Sequence, residues 1–360
     1  MSRSLSVSTG TCALLAMLAG GLEACGPWFP NRLLVEGDGF VRKAPVADFA
    51  VEITRSTAGV KSQFKAVVPR PGPYGDIGPE EYEQQTVQVD LADLRKALGS
   101  LTPERERAVS QYRAARFALM KASTPEQGEP PSFTAPALPA EIPAEFAEYF
   151  RGAILYYQGR TKEARDEWLR MLARPAHERR YRSTWAAYMI GRTLQEENPS
   201  EAEGWFARVR ELAAEGYADS LGLAVASLGW QAQTELARKH YQQAFDLYTE
   251  QAAAGDPTAW LSLLTVAREA LKTDTETLGQ LAADDAARRT ITAYITSLGG
   301  PYRPVPPPAV SRRWATVIAR ASVFPAEDAD RLAWAAYQAG EMDLARQWLH
   351  LSRNTAWRAG

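Results

Sequence analysis

Small and large residues alternate at fixed offsets in one stretch of the chain, and this pattern limits the fold more than any other feature. The stretch covers residues 149–175 and reads as two short helices joined by a turn at Gly159. Gly152 on the first helix and Ala164 on the second let the two helices approach closely, and Trp168 fills the space that remains. A proline then stops the second helix. The spacing predicts a helical hairpin.

The same arrangement returns further along the chain. The second-helix alanine marks each unit, and the four markers are Ala164, Ala202, Ala244 and Ala345, with Gly191 on the first helix of the second unit. The steps between them are 38, 42 and 101 residues, and the last is close to three repeats of about 34 residues. Residues 258–322 are therefore expected to hold degenerate pairs, interrupted by a proline-rich loop at 299–310.

This order of small, turn, small, aromatic and proline residues resembles the tetratricopeptide repeat over about residues 145–360. The resemblance implies an all-α fold, in which stacked helical hairpins form a right-handed superhelix with a concave and a convex face. Such arrays bind partners, and the concave face is where we expect a partner segment to bind. The expected contributors to partner binding are Tyr156, Trp185, Tyr188 and Arg192.

The region before the repeats is expected to be irregular and only partly helical, over residues 25–122. Residues 26–66 carry scattered prolines and glycines, and no helix is predicted there. Asp90 is predicted to cap a short helix that ends at Leu98, and a second helix is predicted from about Pro103 to residue 122. Six prolines between residues 123 and 144 predict an extended linker that leads into the array.

The N-terminus has the features of a lipoprotein signal peptide over residues 1–24. A short apolar run follows Arg3 and ends in Leu22-Glu23-Ala24-Cys25, which resembles a bacterial lipobox. Cys25 would carry the lipid, and it is the last cysteine, so the mature chain could form no internal disulfide. The implied location is extracytoplasmic and membrane-anchored, at the outer membrane if the host has two membranes. The alternative is a cytoplasmic protein with an apolar N-terminus.

Several classes of function find no support in the residues. A net charge of −2 does not suit a nucleic-acid partner. The three histidines are not at metal-ligand spacing, and no phosphate-binding or nucleophile motif occurs, so no metal, cofactor or catalytic residue is expected. One basic cluster stands out and is expected to be a solvated loop paired with acids such as Glu178. Its members are Arg170, Arg174, His177, Arg179, Arg180 and Arg182.

The C-terminal end lacks an obvious polar capping helix, which solenoids normally have. Trp348, Leu349, Leu351 and Trp357 are therefore candidates for exposure, either because the array is shortened or because this end docks on a partner. The sequence as a whole favours a non-enzymatic scaffold lipoprotein of the bacterial cell envelope that binds a protein partner on the concave face. The alternative is a surface lipoprotein that binds glycan or peptidoglycan. A small-molecule ligand is not indicated.

Overall fold

The computed structural model describes residues 48–67, 79–123, 133–134, 136–297, 306–321 and 326–353. Within these ranges the regular structure is helical, which confirms the predicted all-α class. Cys25 of the lipobox-like sequence and Trp357 lie outside the described residues, as do five of the prolines in the predicted linker and loop, namely Pro125, Pro130, Pro131, Pro301 and Pro304.

Fifteen α-helices occur in the described ranges, numbered here in chain order. They are α1 (Phe49–Thr57), α2 (Pro79–Leu98), α3 (Pro103–Ser123), α4 (Ala144–Tyr157), α5 (Thr161–Leu172), α6 (Ser183–Leu194), α7 (Pro199–Ala214), α8 (Leu223–Ala237), α9 (Tyr241–Ala253), α10 (Ala259–Ala270), α11 (Thr275–Ala283), α12 (Asp285–Thr296), α13 (Pro308–Ala321), α14 (Ala329–Gln338) and α15 (Met342–Leu351).

Consecutive helices pack as hairpins at four places, namely α4 with α5, α6 with α7, α8 with α9, and α14 with α15. The first three hairpins also stack on one another, through contacts of α5 with α6 and of α7 with α8. Gly152 explains one of these close approaches, because a Cβ there would lie 2.2 Å from Nε1 of Trp168. A Cβ on Gly191 would likewise lie 2.8 Å from the ring of Phe206 on α7. The small residues thus seat an aromatic ring of the second helix against the first.

The helices of residues 258–322 pair only partly in chain order, which departs from the expected succession of hairpins. α11 packs against its neighbour α12 but also against α13, and α10 packs against α9 and α12. The connection between α11 and α12 is too short for a hairpin turn. It consists of Asp284 alone, whose Oδ1 accepts the backbone N–H of Ala287 at 2.8 Å and so caps α12.

The expectation that residues 26–66 contain no helix is wrong for α1. Phe49 and Ile53 of this helix are buried in the core shared by α9, α10 and α12. Glu52, one turn from Phe49 and on the same buried side, accepts from the guanidinium of Arg331 through both oxygens, at 3.1 and 3.2 Å. A segment that precedes the repeats in sequence therefore belongs to the core of their C-terminal half.

Asp90 is not a helix cap, because α2 begins at Pro79 and Asp90 lies inside it. Its carboxylate is fully buried, 2.7 Å from Nε of Arg116 on α3 and 2.8 Å from Nη2 of Arg182 just before α6. Arg182 also reaches Asp93 at 3.5 Å. A buried carboxylate needs such partners. The buried ion network thus joins α2 and α3 to the repeat array.

The basic cluster around residues 170–182 is largely neutralised inside the protein. Arg182 is buried as described, and Arg174 pairs with Glu148 at 2.7 Å and with Glu178 at 2.8 Å.

At the C-terminal end, the expected exposure is wrong for Trp348, which is buried, and right for Leu351, which is 52% exposed. Leu349 is half-buried.

Candidate functional site

The first helices of successive hairpins present one side of their surface to a long groove, called here the aromatic groove. It consists of two cavities of about 320 and 380 Å³ that share Tyr82, Tyr188 and Arg192 in their walls. α4, α6 and α8 supply one wall, together with α9 and α10 at the larger cavity, while α2 and α3 supply the other wall of the smaller cavity. The helical repeat explains this, because equivalent positions on successive first helices face the same way.

The smaller cavity is bounded by α2, α3, α4 and α6 and is mostly apolar. Tyr149, Tyr156 and Trp185 line it together with Met189. The ring of Tyr149 packs edge-on against Trp185, with centroids 5.6 Å apart, and stacks on Trp168 at 6.2 Å. These ring contacts restrict the side chains to one arrangement, so this part of the groove is formed before any ligand arrives.

The larger cavity lies between α6, α8, α9 and α10, and the amide side chains of Gln233 and Gln251 are part of its lining. The guanidinium carbon of Arg192 lies 3.4 Å from the ring centroid of Trp230, so the two planar groups are in direct contact. Gln195 holds α6 to α8 beside this pair, since its Nε2 donates to the carbonyl of Trp230 and to Oγ1 of Thr234, both at 3.2 Å.

Two tyrosine hydroxyls of the groove stay protonated over the ordinary pH range. Burial raises the pKa of Tyr149 well above its usual range. Burial also raises the pKa of Tyr248 to about 12, although a hydrogen bond with Ser262 opposes the shift. Both groups are therefore hydrogen-bonding phenols and not acids or bases for proton transfer near neutral pH.

The four residues expected to contribute to partner binding lie in this one groove. Tyr156, Trp185, Tyr188 and Arg192 all line the smaller cavity, and the last two also line the larger one. The repeat markers lie elsewhere, in the hairpin cores. Ala164, Ala202 and Ala244 have no exposed surface, Ala345 is 9% exposed, and Gly159 adopts φ +75° in the turn between α4 and α5.

Most groove residues are absent from the sequence-based set, among them Trp230, Tyr82 and Arg116. Trp230 lies 38 residues after Arg192, which is one repeat step, and each of the two directly follows a glycine, Gly229 or Gly191. The repeat spacing could therefore have identified Trp230. Tyr82 and Arg116 carry no such signal. They belong to α2 and α3, which precede the array, and they reach the groove only through tertiary packing.

In the part of the chain that the structure describes, no helix combines the length and the apolar character needed to cross a bilayer. The histidine, aspartate and glutamate side chains of this part form no group of three or more that could hold a metal ion. The chain matches no protein-family model, no curated protein and no solved structure.

Proposed function

We propose that this chain is a non-enzymatic interaction scaffold of the bacterial cell envelope, which binds a segment of a partner protein in the aromatic groove. The observation that carries the proposal is the groove itself. Aromatic side chains from three successive first helices, Tyr156, Tyr188 and Trp230, are collected there on rigid elements. Aromatic and arginine side chains in such clefts supply most of the binding energy in protein interfaces.

A right-handed superhelix like that of tetratricopeptide repeats is the architecture we propose for the stacked hairpins. Two observations support it. Gly152 and Gly191 occupy equivalent positions against Trp168 and Phe206, and the first helices share one grooved side. In this arrangement the groove is the concave face, which accepts an extended segment or a helix.

The proposal includes a lipid anchor on Cys25, supported by the lipobox-like sequence. We expect the full-length chain to fractionate with membranes and Cys25→Ala to become extractable by buffer alone. Equal membrane fractionation of the two proteins would refute the anchor without affecting the groove.

Site-specific photo-crosslinking in intact envelopes tests the scaffold function. A photoreactive phenylalanine analogue replaces Tyr188 in the groove, and in a matched control it replaces Leu169, which is 42% exposed on α5 and outside the groove lining. We expect discrete protein adducts from position 188 that position 169 does not give. Adducts common to both positions, or none at position 188, would contradict the proposal.

Glycan or peptidoglycan binding is the second candidate. The larger cavity favours it, because the indole of Trp230 lies beside the amide side chains of Gln233 and Gln251, and sugars bind through stacking and amide hydrogen bonds. Oligosaccharides would then change the tryptophan fluorescence of the native chain but not that of Trp230→Ala. If this occurs and photo-crosslinking yields no protein, glycan binding replaces the scaffold proposal.

A further inference from the structure

Arg192 is a cation without a compensating carboxylate in the middle of the aromatic groove. No aspartate or glutamate among the described residues lies within 4 Å of its guanidinium, and its buried Nε has no hydrogen-bond partner. The other arginine of the groove, Arg116, is paired with Asp90 at 2.7 Å. Glu83, an acidic residue of the opposite wall, already has an interaction partner and is not within 4 Å of Arg192.

The contact with Trp230 does not use the hydrogen-bonding capacity of Arg192. Stacking occupies the face of a guanidinium, whereas its N–H donors point outward in the plane. The indole therefore holds the plane in one orientation and leaves the donors for a planar acceptor. The Gln195 bonds to Trp230 and Thr234 hold the two helices at this separation. A carboxylate is the acceptor that fits such a fork, through two parallel bonds.

A second feature of the groove lies two helical turns away. The indole of Trp185 is buried in the wall of the smaller cavity, whose surface is mostly apolar. Trp185 precedes Arg192 by seven residues on α6, so the two positions lie about 10 Å apart along the helix. About three residues of an extended chain span that distance. The apolar cavity and the cation thus suit neighbouring side chains of one segment.

We propose that the groove recognises a partner segment with an aspartate or glutamate that pairs with Arg192 and, about three residues away, an apolar side chain that fills the cavity beside Trp185. This assignment rests on the proposed scaffold function and specifies the chemistry of the partner. A segment without a carboxylate would cover the half-buried guanidinium and leave its charge uncompensated, so neutral segments bind more weakly.

Selection from a random linear peptide library on the full-length chain tests the assignment. We expect the enriched peptides to share an acidic residue and, about three positions away, a large apolar one. The same selection on Arg192→Glu should enrich lysine or arginine at the acidic position. By fluorescence polarisation, a selected peptide should bind Arg192→Gln about 10- to 100-fold more weakly than the wild type. Arg151→Gln, an exposed arginine of α4 outside the groove lining, is the matched control and should bind unchanged.

The possible failures are distinguishable. If the selected peptides lose binding to Tyr188→Ala but share no acidic residue, this assignment is overturned and the scaffold function stands. The same holds if selection on Arg192→Glu enriches the same acidic residue as selection on the wild type. If no enriched peptide depends on Tyr188, the scaffold function fails and the assignment with it. Uronic acid oligosaccharides that bind through Arg192 in place of peptides would also overturn it.

Discussion

Gly152→Ala tests the close packing on which the repeat array depends. The added Cβ would lie 2.2 Å from Nε1, 2.6 Å from Cδ1 and 2.7 Å from Cε2 of Trp168. Cβ atoms do not approach other atoms this closely, so either the indole or α4 must move. The indole has little freedom, since it is fully buried and its N–H donates to the carbonyl of Tyr149 at 3.2 Å.

The expected loss of stability follows from three contributions. Overpacking a dense core costs about 1–3 kcal/mol. Displacement of the indole of Trp168 from the carbonyl of Tyr149 costs about 1 kcal/mol more. Alanine is favoured over glycine inside a helix by about 1 kcal/mol, which offsets the second contribution. The free energy of unfolding should therefore fall by about 1–3 kcal/mol.

Gly204→Ala is the matched control, because Gly204 also lies inside a helix, α7, but a Cβ there meets no atom within 4 Å. Only the helix propensity changes, so this variant should gain up to about 1 kcal/mol. Urea denaturation followed by circular dichroism measures both variants against the wild type. The reasoning is refuted if Gly152→Ala is as stable as the wild type or if the two variants shift in the same direction.

Three further predictions concern other parts of the fold. Lys239 has φ +64° in the turn between α8 and α9, so Lys239→Gly should raise the free energy of unfolding by about 0.5–1 kcal/mol in the same assay; a loss would contradict the strain. Glu52→Gln weakens the pairing with Arg331 and should cost about 2–3 kcal/mol, with faster hydrogen exchange in α1 as the local sign; unchanged exchange there would contradict this role. Desolvation, with Asp284 nearby, raises the pKa of Asp246 to about 6. The folded state then binds more protons than the unfolded state between about pH 4 and 6, so stability should fall as pH rises through that window, and Asp246→Asn should reduce this fall.

The hairpins could be predicted from sequence because each one depends on residues close together in the chain. The turn residue precedes the marker alanine by five positions in three hairpins, at Gly159, Lys239 and Gly340, and all three have positive φ. Only two of these are glycines, so a search for glycine alone misses the turn before α9. The distance to the alanine identifies it.

The parts that could not be predicted depend on partners far away in the sequence. Asp90 follows the ordinary pattern of a helix cap, yet it pairs with an arginine 92 residues away. Glu52 and its helix depend on Arg331, 279 residues away. Local spacing contains no information on such pairs, because either residue alone would be equally acceptable on a solvated surface.

The candidate site likewise has one part that could be predicted from local sequence and one part that could not. Tyr156, Trp185 and Tyr188 could be placed together because they occupy the same side of successive helices, α4 and α6. The opposite wall could not, because α2 is held there by the buried ion network.

The ion network and the groove are parts of one arrangement on α6. Arg182 lies just before this helix, where its guanidinium carbon is 4.2 Å from the ring of Trp185 and its charge is balanced by Asp90 and Asp93. Those carboxylates therefore set the position of α2 across the groove and are not available to Arg192. Among the described residues, Arg182 and Arg116 have buried carboxylate partners, whereas Arg192, where α6 faces the open cavity, has no carboxylate within 4 Å. In the recognition proposed above, the partner segment supplies the carboxylate for Arg192.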